Sequence, residues 1–389
     1  MSGYNSTHFQ PMTTEEGARD MKILQVYSSP SPGGGTVHVD DLTRALIERG
    51  HEVHVACRPN SHLYQWLQNT QATLHPLPLR NSIDLVSVMK LSALLKQGSF
   101  DLVHAHTGRD YPLCWMARPK SARLIFSRHL AKANKVNALS TRMFRSADAI
   151  LTVSEQIRTT MTRAFKLSPD RVHAIPNWLD FSQYDTLPDP SAARQALGLT
   201  RRHAIAVLGG VVPIKGQAEF LEAAIRLSES RDDIDFLIVG VNEHADREYL
   251  DNLKTRAQAC GLSDRVHFID WMDDLKPLFP ALSATIVPSW NDAFSIVTVQ
   301  SMACGVPVVA FDAGGPAELI TDGETGSLVH LNDIRKLADA IDTMLNDNDL
   351  RTRVINNARS YARHTFDRDT IISRIEAAYG IVDPTLHEV

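Results

Sequence analysis

Short apolar runs rich in Val, Ile and Leu alternate with longer stretches of helical pattern, and after a proline-rich break the alternation starts again. KILQVYS at Lys22–Ser28 reads as a buried strand, and Thr36–Arg49 as a helix stopped by Gly50. Strand-like runs follow at Glu52–Cys57, Asp101–His106, Arg123–Ser127, Ile150–Val153 and Val172–Pro176. Strands that are apolar along their whole length need cover on both faces, which predicts parallel βαβ units. Leu187–Ser191 carries two prolines in LPDPS and reads as a linker. Beyond it, Ala204–Gly209, Phe236–Gly240, Val266–Ile269, Ala284–Pro288 and Val308–Phe311 repeat the strand signal. Asp333–Leu345, Leu350–His364 and Asp369–Tyr379 have helical spacing. The fold class is therefore α/β, with two doubly wound domains. A polar, disordered tail over 1–20 precedes domains over 21–187 and 188–367, and a last helix spans 368–381. Such sheets bind ligands beyond the carboxyl ends of their strands, so the expected site is a cleft faced by both domains.

With 43% hydrophobic and 22% charged residues in 389, the chain is neither disordered, collagen-like nor a disulfide scaffold. No apolar run reaches the roughly 18 residues of a membrane helix. Residues 1–20 show no apolar stretch behind a basic start, and Cys57, Cys114, Cys260 and Cys304 form no CxxC pair. The expectation is a cytoplasmic protein with buried, reduced thiols. The net charge of −5 hides an imbalance, since Met21–Asp185 carries +8 and everything after it −11. Between Asp110 and Asp148 there is no acid at all. That interval holds Arg118, Lys120, Arg123, Arg128, Lys132, Lys135, Arg142 and Arg145. They form either a solvated helix face or a surface for an anionic partner at the membrane face.

Several segments could carry chemistry. The first strand runs through SSPSPGGGT, Ser28–Thr36, into a helix. It is a flexible turn or an anion site made by glycine backbone and a helix N-terminus. GxxxxGK[ST] is absent, which disfavours a P-loop ATPase. Lys215 lies in the glycine-rich turn Gly209–Gly216 after the first strand of the second domain. It can reach a phosphate as a point charge, or be an ordinary surface lysine. His104 and His106 share one strand face, but no cluster of further ligands is evident, so no metal site is expected. His129 ends a strand and points toward the expected cleft or sits as a satisfied polar histidine. Asp292 is a helix N-cap or a site carboxylate.

Together these segments resemble the GT-B glycosyltransferases, specifically glycosyltransferase family 4 of the retaining, group 1 type. PSWNDAFSIVTVQSMACGVPVVAFDAGGPAELI, Pro288–Ile320, is similar to the family pattern PS…EGFG…EAMACGxPVVA…GGxxE. PGGGTVHV, DLVHAH, SRHL, VSE, IPNWLD and the KG of Lys215–Gly216 match in order. The resemblance implies two Rossmann-like domains, the acceptor on the first, the donor nucleotide on the second, and the last helix packed back on the first. It implies sugar transfer from a nucleotide-sugar donor, UDP- or GDP-linked, with retention of configuration and no metal or other cofactor. Together with the basic interval Arg118–Arg145, it leads to an expected glycan or lipid-linked acceptor of cell-surface polysaccharide or lipopolysaccharide synthesis, with peripheral contact to an anionic membrane and no nucleic acid.

Carried over residue by residue, Gly34 and Gly35 match the loop near the donor phosphates and Lys215 the phosphate-binding lysine. His129 matches the histidine near the transferred sugar, and Asp292 the first family glutamate. Phe294, Ser295 and Ile296 match the loop whose amides meet the diphosphate, and Gln300 the second glutamate, which holds the ribose. Gly210 stands where the family has arginine. Arg118, Lys120, Arg128, Lys132, Lys135 and Arg142 are the candidate anionic-acceptor surface. The three departures, Gly210, Asp292 and Gln300, also motivate a second reading, a GT-B nucleotide-binding or regulatory protein with weakened turnover. An epimerase or phosphorylase fits the Pro288–Ile320 stretch less well.

Overall fold

The computed structural model describes residues 20–31, 33–131, 135–243 and 245–380. It divides into two compact units. The first holds the residues up to Ile175, apart from Leu130 and its neighbours, and those from Ile371 onward; the second holds Pro176–Thr370. The chain thus changes unit at Ile175/Pro176, before the proline-rich stretch. Leu187–Ser191 lies inside the second unit, where Asp189 caps a helix over Pro190–Ala196.

The first unit is a seven-stranded parallel sheet. Its strands are β1 (Lys22–Tyr27), β2 (Glu52–Cys57), β3 (Thr73–Pro76), β4 (Leu102–Ala105), β5 (Arg123–Arg128), β6 (Ala149–Thr152) and β7 (Val172–Ala174), in the order β3-β2-β1-β4-β5-β6-β7. The second is a six-stranded parallel sheet of β8 (His203–Leu208), β9 (Ile234–Val241), β10 (Val266–Asp270), β11 (Ala284–Val287), β12 (Val308–Phe311) and β13 (Ser327–Val329), ordered β10-β9-β8-β11-β12-β13. Both reverse direction of winding at their first strand. The sequence reading missed only β3 and β13. They are short strands at sheet edges, so they carry no buried apolar run.

The period-2 rule accounts for the second core. In β8 and β9, Ile205, Val207, Phe236 and Ile238 pack on one face with Phe220, Leu221 and Ile341. Ala204, Ala206, Leu208, Leu237 and Val239 pack on the other with Leu278 and Phe279. Alternate residues of one strand thus enter different layers, which is why the strand must be apolar throughout. Each fully buried Phe or Leu contributes about 1.5–3 kcal/mol relative to exposure.

The last helix, Arg368–Tyr379, belongs to the first unit from Ile371. Tyr379 is fully buried, and its hydroxyl meets His104 Nδ1 at 2.7 Å. Glu376 accepts from Arg49 at 2.6 Å and pairs with His51 at 3.0 Å. Thiol burial is as expected for Cys57 and Cys114, whereas Cys260 and Cys304 are half-buried. Among the described residues no helix is long and apolar enough to cross a membrane.

Candidate functional site

In the second unit the site grows from the turn after β8. Lys215 closes a short 3-10 turn, Pro213–Lys215, and Gly216 follows at φ +76°. A Cβ on Gly216 would stand 2.0 Å from the Pro288 carbonyl oxygen. Only glycine lets the lysine turn press this closely on the chain leaving β11. The lysine is thereby delivered to Asp292, its Nζ donating to Oδ2 at 2.7 Å.

Asp292 does not cap the helix that follows. That helix, Ile296–Cys304, starts after Ser295, which sits in the left-handed region at φ +62° and gives the helix no side-chain cap. The Ser295 hydroxyl pairs instead with Thr298 Oγ1 at 2.9 Å. Left-handed backbone at a serine costs about 1–3 kcal/mol, and the family pattern EGFG has glycine there. The consequence is a first helical turn, from Ile296 on, whose amide hydrogens have no side-chain acceptor beside a lysine. Both features favour an anion. Phe294 is buried and meets the Phe366 ring edge-on, centroids 5.7 Å apart, which fixes the loop.

A second helix start, at Gly314, closes on the same loop. Gly315 N–H donates to Asp292 O at 2.6 Å, and a Cβ on Gly314 would stand 2.6 Å from that oxygen. Gln300, in the second turn of its helix, donates to the Tyr184 hydroxyl at 3.1 Å. Gly210 lies in the lysine turn, its carbonyl accepting from Gln217 at 3.0 Å. Lys215, Asp292, Phe294, Ser295, Ile296 and Gly210 are therefore gathered in one place, with Gln300 on the same helix. Tyr184 was not foreseen, since it is 116 positions from its partner and no local signal links them.

In the first unit the helix begins at Gly34, earlier than the Thr36 expected, so Gly34 and Gly35 form its first turn with no side-chain cap. The same helix carries His38, whose ring lies 4.4 Å from that of His129. His129 follows β5 directly and burial holds its pKa well below the ordinary histidine value. His104 and His106 do share a face, with ring centroids 3.9 Å apart.

Two expectations need correction. His38, His106 and His129 each place one ligand nitrogen within 4.8 Å of the others, a cluster the sequence reading denied. Its third member is carried by a helix and shares no spacing pattern with the rest. The basic interval also is not one surface. Arg118 bonds the Asp148 carboxylate and the carbonyls of Ala122 and Ser146, all at 3.0 Å. Arg128 is buried. Neither lies free on the surface. Lys120, Lys135 and Arg142 are exposed, and Lys132 lies outside the described residues.

A model described as Glycosyltransferase Family 4 matches residues 32–183, and one described as Glycosyl transferases group 1 matches 191–361. The chain belongs to the group 1, family 4 glycosyltransferases. Its fold is GT-B. Anabaena Alr3699/HepE, solved in complex with UDP and glucose, aligns at TM-score 0.81 and 23% identity over 93% of this chain and 100% of that one. A glycosyltransferase from Rickettsia africae ESF-5 aligns at TM-score 0.85 and 18% identity over 94% and 99%. Among curated relatives, the D-inositol 3-phosphate glycosyltransferase of Mycobacterium sp. (strain JLS) is 28% identical, covering 89% of this chain and 81% of that protein.

Proposed function

We propose that this glycosyltransferase moves a hexose from a UDP-sugar to a phosphorylated polyol or other anionic acceptor, with retention at the anomeric carbon. The observation that carries the reading is Lys215 held by Asp292 at the uncapped start of the Ile296–Cys304 helix. A lysine and a helix N-terminus, the latter worth about +0.5 charge, would act on a departing diphosphate as fixed protein charge. Asp292 and His129 are assigned to the transferred sugar, Gln300 to the ribose, and Gly34 and Gly35 to the phosphates. The UDP in solved GT-B neighbours and the inositol phosphate in the names of curated relatives support the donor and acceptor classes. Exposed Lys120, Lys135 and Arg142 suit an anionic acceptor, whether free or borne on a membrane.

The test is UDP release from UDP-glucose and UDP-N-acetylglucosamine with inositol 3-phosphate, with unphosphorylated inositol and with a lipopolysaccharide core as acceptors. Turnover only with the phosphorylated polyol, giving an axial linkage by NMR, is the expected result. Turnover with the core alone would move the acceptor to cell-surface glycans. Nucleotide binding with no turnover on any acceptor would favour the regulatory reading.

Gly210 offers a sharper check on the donor. A Cβ there meets nothing within 4 Å, and its φ is not in the left-handed region. Gly210→Arg is therefore sterically allowed and adds a cation to the lysine turn. A charge-assisted hydrogen bond of about 1.5 kcal/mol lowers the KM for UDP-sugar roughly tenfold. An unchanged KM would place the diphosphate elsewhere.

A further inference from the structure

The first unit places four histidines close together, and they are not equivalent. His104 is fully used, its Nδ1 meeting the Tyr379 hydroxyl and its Nε2 the Ser127 hydroxyl, each at 2.7 Å. It is a structural histidine. His106 follows β4 and is buried, and its Nε2 meets Gln25 Oε1 from the neighbouring β1. With the Gln25 amide in this orientation its oxygen accepts from Nε2, which leaves Nδ1 as the lone pair. That Nδ1 is buried with no hydrogen-bond partner, and the same holds for Nε2 of His129 after the adjacent β5. The helix following β1 then brings His38 against both rings, at centroid separations of 4.4 Å from His129 and 5.9 Å from His106. Three strands and one helix thus converge on imidazole nitrogens at the carboxyl end of the sheet.

Two buried imidazole nitrogens without partners are costly unless something occupies them. Burial drives the pKa of His106 and of His129 well below the ordinary value, so both rings are neutral and offer lone pairs. The chemistry on hand is two neutral rings with unpartnered nitrogens beside a third imidazole, with one ring already oriented by an outer acceptor. This is how metal-ligating histidines are commonly fixed.

We propose that His38, His106 and His129 form a three-imidazole site for a borderline-soft divalent transition ion of the zinc and cobalt class. The nitrogens lie within 4.8 Å of one another. A tetrahedral ion with metal–nitrogen bonds of about 2.0–2.1 Å needs them near 3.4 Å, so the rings must close by up to about 1.4 Å. His38 and His129 are only half-buried and can make that movement. His129 is also the residue assigned to the transferred sugar, so bound ion and donor sugar compete for it, and the ion acts as an inhibitor. The site itself is independent of the donor assignment.

Cobalt(II) titration of the full chain after chelator treatment, followed by visible absorption at pH 7.5, tests this without reference to activity. The expected result is one equivalent bound with the intense bands of tetrahedral cobalt, abolished by one equivalent of zinc. His38→Gln should weaken binding at least about tenfold, as loss of even an outer partner commonly does. His54→Gln, at the separate His54–His75 contact of 2.8 Å, should leave it unchanged. His129→Gln, checked for fold by circular dichroism, repeats the test should His38→Gln fail to fold. Weak octahedral spectra only, or tetrahedral bands insensitive to both variants, would overturn the site. Inhibition of UDP-sugar turnover by zinc that disappears in His38→Gln would extend it to regulation. Zinc binding without inhibition would keep the metal site and remove the competition with sugar.

Discussion

Lys215→Ala is expected to lower kcat/KM for the UDP-sugar by about 10²–10³, the usual consequence of removing one fixed donor to developing charge. Two effects add. The leaving diphosphate loses a cation, and Asp292, whose carboxylate sits 2.7 Å from the lysine ammonium, is left as an unbalanced anion in the same place. The loss should therefore exceed that of Lys215→Arg, which keeps the charge but not the point-like head group. Stability should hardly move. The Lys215 and Asp292 side chains are 33% and 18% exposed, and a pair so open to solvent is worth at most about 1 kcal/mol. Steady-state kinetics beside a thermal melt separate the two consequences. An unchanged kcat/KM would remove Lys215 from the donor site.

Acidification should destabilise the first unit steeply. His104, His106 and His129 are held neutral in the fold by burial, with pKa values well below the ordinary 6.5. Below that value the unfolded chain gains a proton at each while the folded chain does not, so stability falls with pH by about 1.4 kcal/mol per unit per histidine. Asp110 opposes them. Burial raises its pKa from 3.8 to about 6, so between those values the fold carries the extra proton. His75 in the same unit is also lowered by burial, so the histidines outnumber the aspartate and the net effect is a loss of stability as the pH falls from 6 to 5. Urea unfolding at pH 7, 6 and 5, with hydrogen exchange in β4 and β5 as the local probe, should show it. Asp110→Asn removes the opposing proton and should steepen the fall. A stability independent of pH across this range would mean that these rings reach water in the folded state.

The limits of the sequence are set by what kind of signal each residue leaves. The turns around Lys215–Gly216 and Asp292–Ser295 were legible because a short loop fixed to a strand end carries its chemistry in consecutive residues. The same holds for the glycines that open the Gly34–Glu48 helix. The sequence pattern allows Asp292 as an N-cap, and only the left-handed Ser295 shows that the helix starts later, leaving the carboxylate to Lys215. The run of cations misled for the opposite reason. Composition records that Arg118 and Arg128 are basic, but not that Arg118 is spent on Asp148 and two carbonyls, or that Arg128 is buried.

By itself the sequence determined the two parallel sheets, because strands covered on both faces must be apolar at every position, and that pattern is written locally. It also determined the family, through ordered short motifs. Tertiary structure alone decided which distant side chains meet: Gln300 with Tyr184, Tyr379 with His104, and above all His38 with His106 and His129. The reason is physical. The ends of two parallel strands and one helix converge at the carboxyl end of the sheet through crossover connections of tens of residues, and no periodicity along the chain encodes that encounter.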